Sequence, residues 1–397
     1  MPRKIRSFFC VFFVILFLFP SKIVYGAKQE KDNLGITTIS YVLLEGSTGK
    51  IICEKNKDKQ LMPASITKIM TLLLIFEDLE AKKISLEDTV TVSEHAASMG
   101  GSQVWLESNE TQTVENMIKC ITISSANDAC VSMAEYISGS ETEFVKRMNE
   151  KAAQLGMKNT KFMNCCGLDD DLTEGQHYST AYDIALMSRE LIINYKDIQK
   201  YTTKWMDEIT HVTKKGEKAF GLTNTNKLVR TYDGITGLKT GSTSKAKYCL
   251  SATANRDGMD LIAVVMASPQ PLTRFVEAAT LLDYGFAICK LYKDENKDIL
   301  VDTVDVEKGK KEKLQVKVKK GFSYVFLNGE NVDLVEKKIE WNPVIKAPIQ
   351  KKERIGMVVY YYEGNKIGEV PILANEDISC ASYLDYLGKT IRKYFNM

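Results

Sequence analysis

Three short peptides, far apart in the chain and in a fixed order, restrict how it can fold. They are Ser65-Ile66-Thr67-Lys68, Ser125-Ala126-Asn127 and Lys239-Thr240-Gly241. Together they supply a serine with an amine one helical turn away, a hydroxyl and amide pair, and a second amine beside a glycine. That set is complete for acyl transfer through a serine ester, provided the fold carries all three pieces to one place. Each piece alone is weak. Ser65 by itself would read as a helix N-cap, and Ser125 with Asn127 as a polar helix terminus. A second Ser-x-x-Lys at Ser242-Thr243-Ser244-Lys245 reads as coincidence, whereas Lys-Thr-Gly occurs once, well downstream.

The pattern of apolar residues says what surrounds these pieces. Thr38 to Leu44 alternates as a strand, a Gly46-Ser47-Thr48-Gly49 turn follows, and Lys50 to Glu54 returns as the second arm of a hairpin. Pro63 suits the first turn of a helix, whose stripe is Ile66, Ile69, Met70 and Leu73. Glu94 to Tyr195 is mostly helical in pattern, broken near Gly100-Gly101, Gly139 and Gly167. Strands return at Gly237 to Thr240, Tyr248 to Asn255 and Asp260 to Ala267, with a turn at Arg256-Asp257-Gly258, and Phe275 to Phe286 reads as a closing helix. Strands at both ends of a helical middle predict an α+β unit, one antiparallel sheet packed against helices, over residues 33–290.

The chain has 397 residues, room for more than one compact unit. After Lys293-Asp294-Glu295-Asn296 the pattern changes to period two, as in Leu314 to Val318, and Glu363-Gly364-Asn365 joins two further strands, Ile355 to Tyr362 and Lys366 to Leu373. Residues 298–374 therefore read as a small β-sandwich domain without catalytic groups. Residues 379–397 read as an amphipathic helix with Leu384, Leu387, Ile391 and Phe395 on one face and Tyr383, Tyr386 and Tyr394 beside them. Such a helix either docks on its own domain or lies on a membrane surface.

The opposite end looks like an export signal, residues 1–26. Arg3, Lys4 and Arg6 precede an apolar run from Phe8 to Phe19, and Val24-Tyr25-Gly26 offers a cleavage site before Ala27. An uncleaved anchor is the competing reading. A net charge of +2 gives no reason to expect a nucleic acid partner. The basic stretch Lys308 to Lys320 reads as a solvated strand face. Eight cysteines remain after the leader, without zinc-type spacing, and the three histidines do not cluster. No metal and no cofactor are expected.

The words around the three peptides resemble those of one family. Pro63-Ala64-Ser65-Ile66-Thr67-Lys68-Ile69-Met70-Thr71 is similar to the nucleophile helix of the low-molecular-mass penicillin-binding proteins, the D-alanyl-D-alanine carboxypeptidases. Asn164-Cys165-Cys166-Gly167-Leu168 resembles their N-x-x-G-L turn, and Gly237 to Thr243 their third motif. The likeness runs from about Thr38 to the C-terminus. It departs at Lys247, where the family usually has glycine after alanine.

The resemblance implies a penicillin-binding-protein/β-lactamase-like catalytic domain and a set of roles. Ser65 would be the nucleophile and Lys68, on the same helical face, the base that takes its proton. Ser125 would relay a proton to the departing D-alanine amine, and Asn127 would orient Lys68 and hold the substrate amide. Lys239 would supply the positive field that keeps Lys68 uncharged. The N–H groups of Ser65 and Ser242 would form the oxyanion hole, with the substrate lying along the strand through Gly241. Thr240, Thr243 and a family arginine matched by Arg274 would receive the terminal carboxylate. The substrate would be a peptidoglycan stem peptide, β-lactams would acylate Ser65, and the C-terminal helix would hold the enzyme to the outer face of the membrane.

Other readings stand beside this one. A DD-endopeptidase or transpeptidase would use the same residues. A class A β-lactamase would need a Glu-x-x-x-Asn loop, and Glu174, the nearest acid, has no asparagine four residues on. A non-catalytic β-lactam sensor would need a spanning helix and a cytoplasmic module.

Overall fold

The computed structural model describes residues 34–169, 173, 176–213, 216–296, 303–319 and 321–395. The export signal expected at 1–26, and Glu174, lie outside them.

The expected hairpin forms as β1 (Ser40–Glu45) and β2 (Ile51–Lys55). A 3-10 turn over Ala64–Thr67 then runs into α1 (Lys68–Glu80). The helical middle comprises α2 (Glu94–Ala97), α3 (Val114–Ile123), α4 (Asn127–Ser138), α5 (Glu141–Gln154), α6 (Ala181–Asn194) and the short α7 (Gln199–Thr202). A small strand pair, β3 (Thr89–Thr91) with β4 (Thr111–Thr113), sits within it. Next come a hairpin of β5 (Met206–Thr213) and β6 (Gly216–Thr223), the short α8 (Leu228–Thr231), β7 (Ile235–Thr243), β8 (Lys247–Arg256), β9 (Met259–Ser268) and α9 (Thr273–Ile288). The main sheet is antiparallel in the order β2-β1-β9-β8-β7. Its middle strand, β9, is buried along nearly its whole length, because α6 and α9 both pack against it. A strand covered on both faces loses its polar alternation.

Capping residues place the helix starts. Thr113, Ser140 and Thr180 each accept a hydrogen bond from the backbone N–H three residues on. Ser140 with Glu143 has the spacing of a capping box, and Gly139, left-handed at φ +77°, ends the helix before it. This tight junction puts Glu141 in the first turn of α5. Helix α1 is buried on every side over Lys68–Phe76, where the sequence pattern showed one apolar stripe. It runs through the middle of the helical layer, so Leu72, Leu74 and Ile75 pack as fully as Leu73.

Beyond α9 the chain is β structure. Strands β11 (Thr303–Asp305), β12 (Lys313–Val318), β14 (Val335–Trp341), β15 (Arg354–Tyr362) and β16 (Asn365–Ala374) form a five-stranded sheet, order β11-β12-β16-β15-β14. Strands β10 (Cys289–Asp294) and β13 (Phe322–Leu327) pair separately. The two sheets meet where Phe322 stacks on Tyr360, ring centroids 3.9 Å apart, with Tyr292 against both. The C-terminal helix, α10, spans Tyr383–Phe395 and begins four residues later than the pattern suggested. Ile378 and Cys380 still belong to the β structure, bridging to Ile349 and Gly309.

Candidate active site

The turn that carries Ser65 starts with strain. Ala64 has φ +49°, a left-handed conformation uncommon for a side chain other than glycine. Ser65 follows in the 3-10 turn, and Lys68 opens α1 one turn later. Lys68 Nζ lies 3.0 Å from Ser65 Oγ, 2.6 Å from Asn127 Oδ1 and 2.9 Å from the Cys166 carbonyl oxygen. The lysine is fully buried. Asn127, first residue of α4, is fixed in turn by donating from Nδ2 to the Gly100 carbonyl at 2.7 Å. Ser125 stands two residues earlier, buried, with φ +61°. A second left-handed non-glycine residue at one site marks a backbone held by its surroundings.

The Asn164-x-x-Gly167-Leu168 turn closes the site from the side. Asn164 Oδ1 accepts from the Gly167 N–H at 2.6 Å, and its Nδ2 donates to the Leu168 carbonyl at 2.8 Å. Gly167 has φ +86°, and a Cβ there would sit 1.9 Å from the Ala64 carbonyl oxygen. No side chain fits, so this turn can press against the Ser65 turn only as glycine. The Cys166 carbonyl thereby reaches Lys68.

Strand β7 brings the third peptide. A Cβ on Gly241 would meet the Pro63 carbonyl oxygen at 2.8 Å and the Ile66 nitrogen at 3.0 Å, so the bare backbone of β7 lies against the Ser65 turn. β7 is the edge strand of the main sheet, paired with β8 alone among the described residues. Lys239 is buried and donates to the Thr240 carbonyl at 3.1 Å. Burial pushes its ammonium well below the ordinary lysine value of 10.5, and the positive charges of Lys68 and Arg274 push the same way. Thr240 Oγ1 is 2.7 Å from Thr225 Oγ1. Thr243 donates to Asp169 Oδ2 at 2.5 Å and accepts from the Ala246 N–H at 2.9 Å. Arg274, at the start of α9, donates through one terminal nitrogen to the Gly241 carbonyl at 3.0 Å. Its Nε is buried without an acceptor, and no carboxylate pairs with it among the described residues.

All three sequence peptides thus face one another. The residue pattern pointed to Ser65, Lys68, Ser125, Asn127, Lys239, Thr240, Gly241, Ser242, Thr243 and Arg274. It did not point to the Gly100 and Cys166 carbonyls, to Thr225 or to Asp169. Backbone carbonyls carry no side-chain signature, and Thr225 approaches only because the segment after β6 returns beside β7. Nor did cysteine spacing connect Cys165 and Cys166 with Glu141, whose ligand atoms all lie within 4.8 Å of one another. The eight cysteines here are free thiols. Cys166 is pushed down, first by its hydrogen bond with Cys165 and then by the Lys68 charge, while burial drives Cys165 well up. A groove of about 1060 Å³ near Phe76, Lys83, Tyr195 and Tyr201 shares no residue with this site.

Comparison with known proteins agrees with the geometry. Residues 27–270 match the D-alanyl-D-alanine carboxypeptidase family, peptidase S11, and residues 290–379 match the C-terminal domain of penicillin-binding protein 5. The chain is 41% identical over 389 residues to the D-alanyl-D-alanine carboxypeptidase DacF of Bacillus subtilis, covering 98% of each. It is 31% identical to DacC of Escherichia coli, another D-alanyl-D-alanine carboxypeptidase, over 91% of this chain and 89% of that one. The crystal structure of penicillin-binding protein 5 from Haemophilus influenzae superposes with a TM-score of 0.72 at 31% identity, covering 87% of this chain and 98% of that one. The chain belongs to the D-alanyl-D-alanine carboxypeptidase family of serine hydrolases.

Proposed function

We propose that Ser65 is the nucleophile with which this serine-type D-alanyl-D-alanine carboxypeptidase removes the terminal D-alanine from peptidoglycan stem pentapeptides. One observation carries the assignment. Two of the three oxygens around Lys68 Nζ, the Asn127 amide and the Cys166 carbonyl, can only accept hydrogen bonds. A neutral amine gives both its hydrogens to them and turns its lone pair to Ser65 Oγ at 3.0 Å. That is the arrangement a general base needs.

Lys239 is the second amine of the site, and burial pushes its ammonium down. Two buried amines in one site resist carrying two protons. An incoming substrate carboxylate favours charge on the amine nearest to it, which is the role of Lys239. Arg274, without an acidic partner among the described residues, adds to the same attraction. Thr240 lies on the same strand. Thr243 can help bind the carboxylate only by exchanging its bond to Asp169.

The peptide adds to the free edge of β7 as a further strand. Ser65 Oγ attacks the carbonyl between the two D-alanines while its proton passes to Lys68. The Ser65 and Ser242 N–H groups stabilise the oxyanion. The C–N bond then breaks, and the proton reaches the leaving amine through Ser125. Water hydrolyses the ester and regenerates Ser65. A β-lactam acylates the same hydroxyl, but its amine stays tethered and obstructs the water.

The chain divides, on this reading, into a leader removed on export (1–26), a catalytic unit (33–290), a β-sandwich (298–374) and a membrane-associating tail (379–397). The face of α10 supports the last step. Tyr383 is 82% exposed, Leu384 76% and Tyr394 75%, with Leu387 and Ile391 also uncovered. Among the described residues no helix is long and apolar enough to cross a membrane; an amphipathic helix with such a face lies along a surface.

Fluorescent penicillin tests the nucleophile. The protein should carry one covalent label, and Ser65→Ala none. Labelled Ser65→Ala would refute the assignment. Lys68→Ala should release D-alanine from diacetyl-L-Lys-D-Ala-D-Ala about 10²- to 10⁴-fold more slowly. Turnover near the parent rate would remove Lys68 as the base.

A further inference from the structure

We propose that Glu141, Cys165 and Cys166 form a binding site for a thiophilic divalent cation, zinc being the physiological case, and that filling it slows the enzyme. The part about rate rests on the role proposed above for Lys68. The binding does not.

Three donors from two distant segments converge. Ser140 caps α5 and so presents Glu141 in its first turn. The Asn164 turn presents two consecutive cysteines beside it. One ligand atom from each residue lies within 4.8 Å of the other two. A tetrahedral zinc with Zn–S bonds of about 2.3 Å needs its donors roughly 3.5–3.8 Å apart. The site must therefore contract by about 1 Å, which side-chain rotation supplies. Two thiols and a carboxylate suit zinc or cadmium and are a poor set for calcium or magnesium. His95 offers a fourth ligand, with Nε2 3.4 Å from Glu141 Oε2. Both thiols are buried, Glu141 is half-buried and His95 is exposed, so the cation enters along His95 and Glu141. The outer contacts are also in place. Glu141 Oε1 accepts from the Cys165 N–H at 2.9 Å, which orients the carboxylate towards the two thiols. On binding, each cysteine forms a metal–thiolate bond and loses its proton to solvent. No oxidation is involved.

The same turn reaches the catalytic lysine. The Cys166 carbonyl accepts from Lys68 Nζ at 2.9 Å, and the Cys165 carbonyl accepts from Thr71 at 2.7 Å and from the Cys130 thiol at 3.2 Å. Drawing both thiolates towards Glu141 turns the peptide units that carry these carbonyls. Lys68 then loses one of the two acceptors that aim its lone pair at Ser65.

The test uses the full chain with zinc alone as the ligand. Equilibrium dialysis should find one zinc per chain, and cadmium should give an ultraviolet thiolate charge-transfer band. Saturating zinc should slow D-alanine release about tenfold or more, reversed by a chelator. Cys165→Ser and Glu141→Gln should each weaken zinc binding about tenfold or more, and each variant's inhibition is scored against its own zinc-free rate. Glu141→Gln keeps the acceptor for the Cys165 N–H, so it remains informative if Cys165→Ser folds poorly. Absence of stoichiometric zinc, or equal affinity in both variants, overturns the site. Stoichiometric zinc with no change in rate overturns the coupling to Lys68. Penicillin labelling of the zinc-free protein reports on Ser65 separately.

Discussion

His177 lies beneath the turn that carries Ser65. The Met163 N–H donates to its Nδ1 at 3.3 Å, so the ring proton sits on Nε2 and points to Thr67 Oγ1 at 2.9 Å. The ring is buried against Phe162. Burial pushes its pKa down from 6.5 to about 4. Between those values the unfolded chain binds a proton that the folded chain refuses, so stability rises with pH across the window. His177 therefore contributes fully above about pH 6.5, and that contribution is lost as pH falls towards 4. The gap corresponds to roughly 3 kcal/mol. Urea unfolding at a series of pH values should show this slope, and His177→Gln should flatten it. An unchanged slope in the variant would assign the acid sensitivity elsewhere. At this scale the side chains that converge at the site were legible, because serine, lysine and asparagine at set spacings carry their chemistry with them. The partners that aim them were not. A carbonyl at residue 100 or 166 is the same atom whatever the side chain.

Strand β7 and its turn show what an element adds. The Lys-Thr-Gly strand was readable, and so was its hairpin with β8. The sequence departure at Lys247 now has a physical meaning. Lys247 has φ +58°, a left-handed position at the turn between β7 and β8 where glycine is free of Cβ crowding. The family glycine suits that conformation, and lysine is strained in it. Lys247→Gly should raise unfolding stability by about 1 kcal/mol, read as a higher urea midpoint. A lower midpoint would mean that the lysine side chain outweighs the backbone strain. The hairpin of β5 and β6 escaped the sequence pattern for a related reason. Strand β6 is mostly exposed, and β5 alternates in burial but turns Met206 and Val212 to solvent and His211 inward, so hydropathy does not mark it. Helix α1 was legible as a helix, but its burial on every side was not, since the pattern showed only the stripe of Ile66, Ile69, Met70 and Leu73.

The whole molecule sets the catalytic sheet before a β-sandwich, with α10 at the end. Lys50, in the β1–β2 turn, donates to the Val325 carbonyl at 2.9 Å and lies over the Tyr324 ring, which ties the sandwich to the catalytic sheet. Helix α10 is held more lightly, through Lys389 to the Gly309 carbonyl and Glu312. Leu384, Leu387 and Ile391 remain exposed. Removing residues 383–397 should move the protein from membrane to soluble fractions and leave D-alanine release from a soluble peptide unchanged. The cut belongs after Ser382, because Ile378 and Cys380 are still paired within the β structure. An unaltered distribution between fractions would rule out the tail as the attachment.

Order and spacing along the chain were enough to name the reaction and the α+β architecture, since each depends on residue type and local period. Convergence decided everything else. Gly167 had to be bare because Ala64 crosses it, the Lys239 ammonium is pushed down because it is buried beside Lys68, and Glu141 meets two cysteines from a turn that follows its helix. Close approach between distant segments is a property of packing, and no window of sequence contains it.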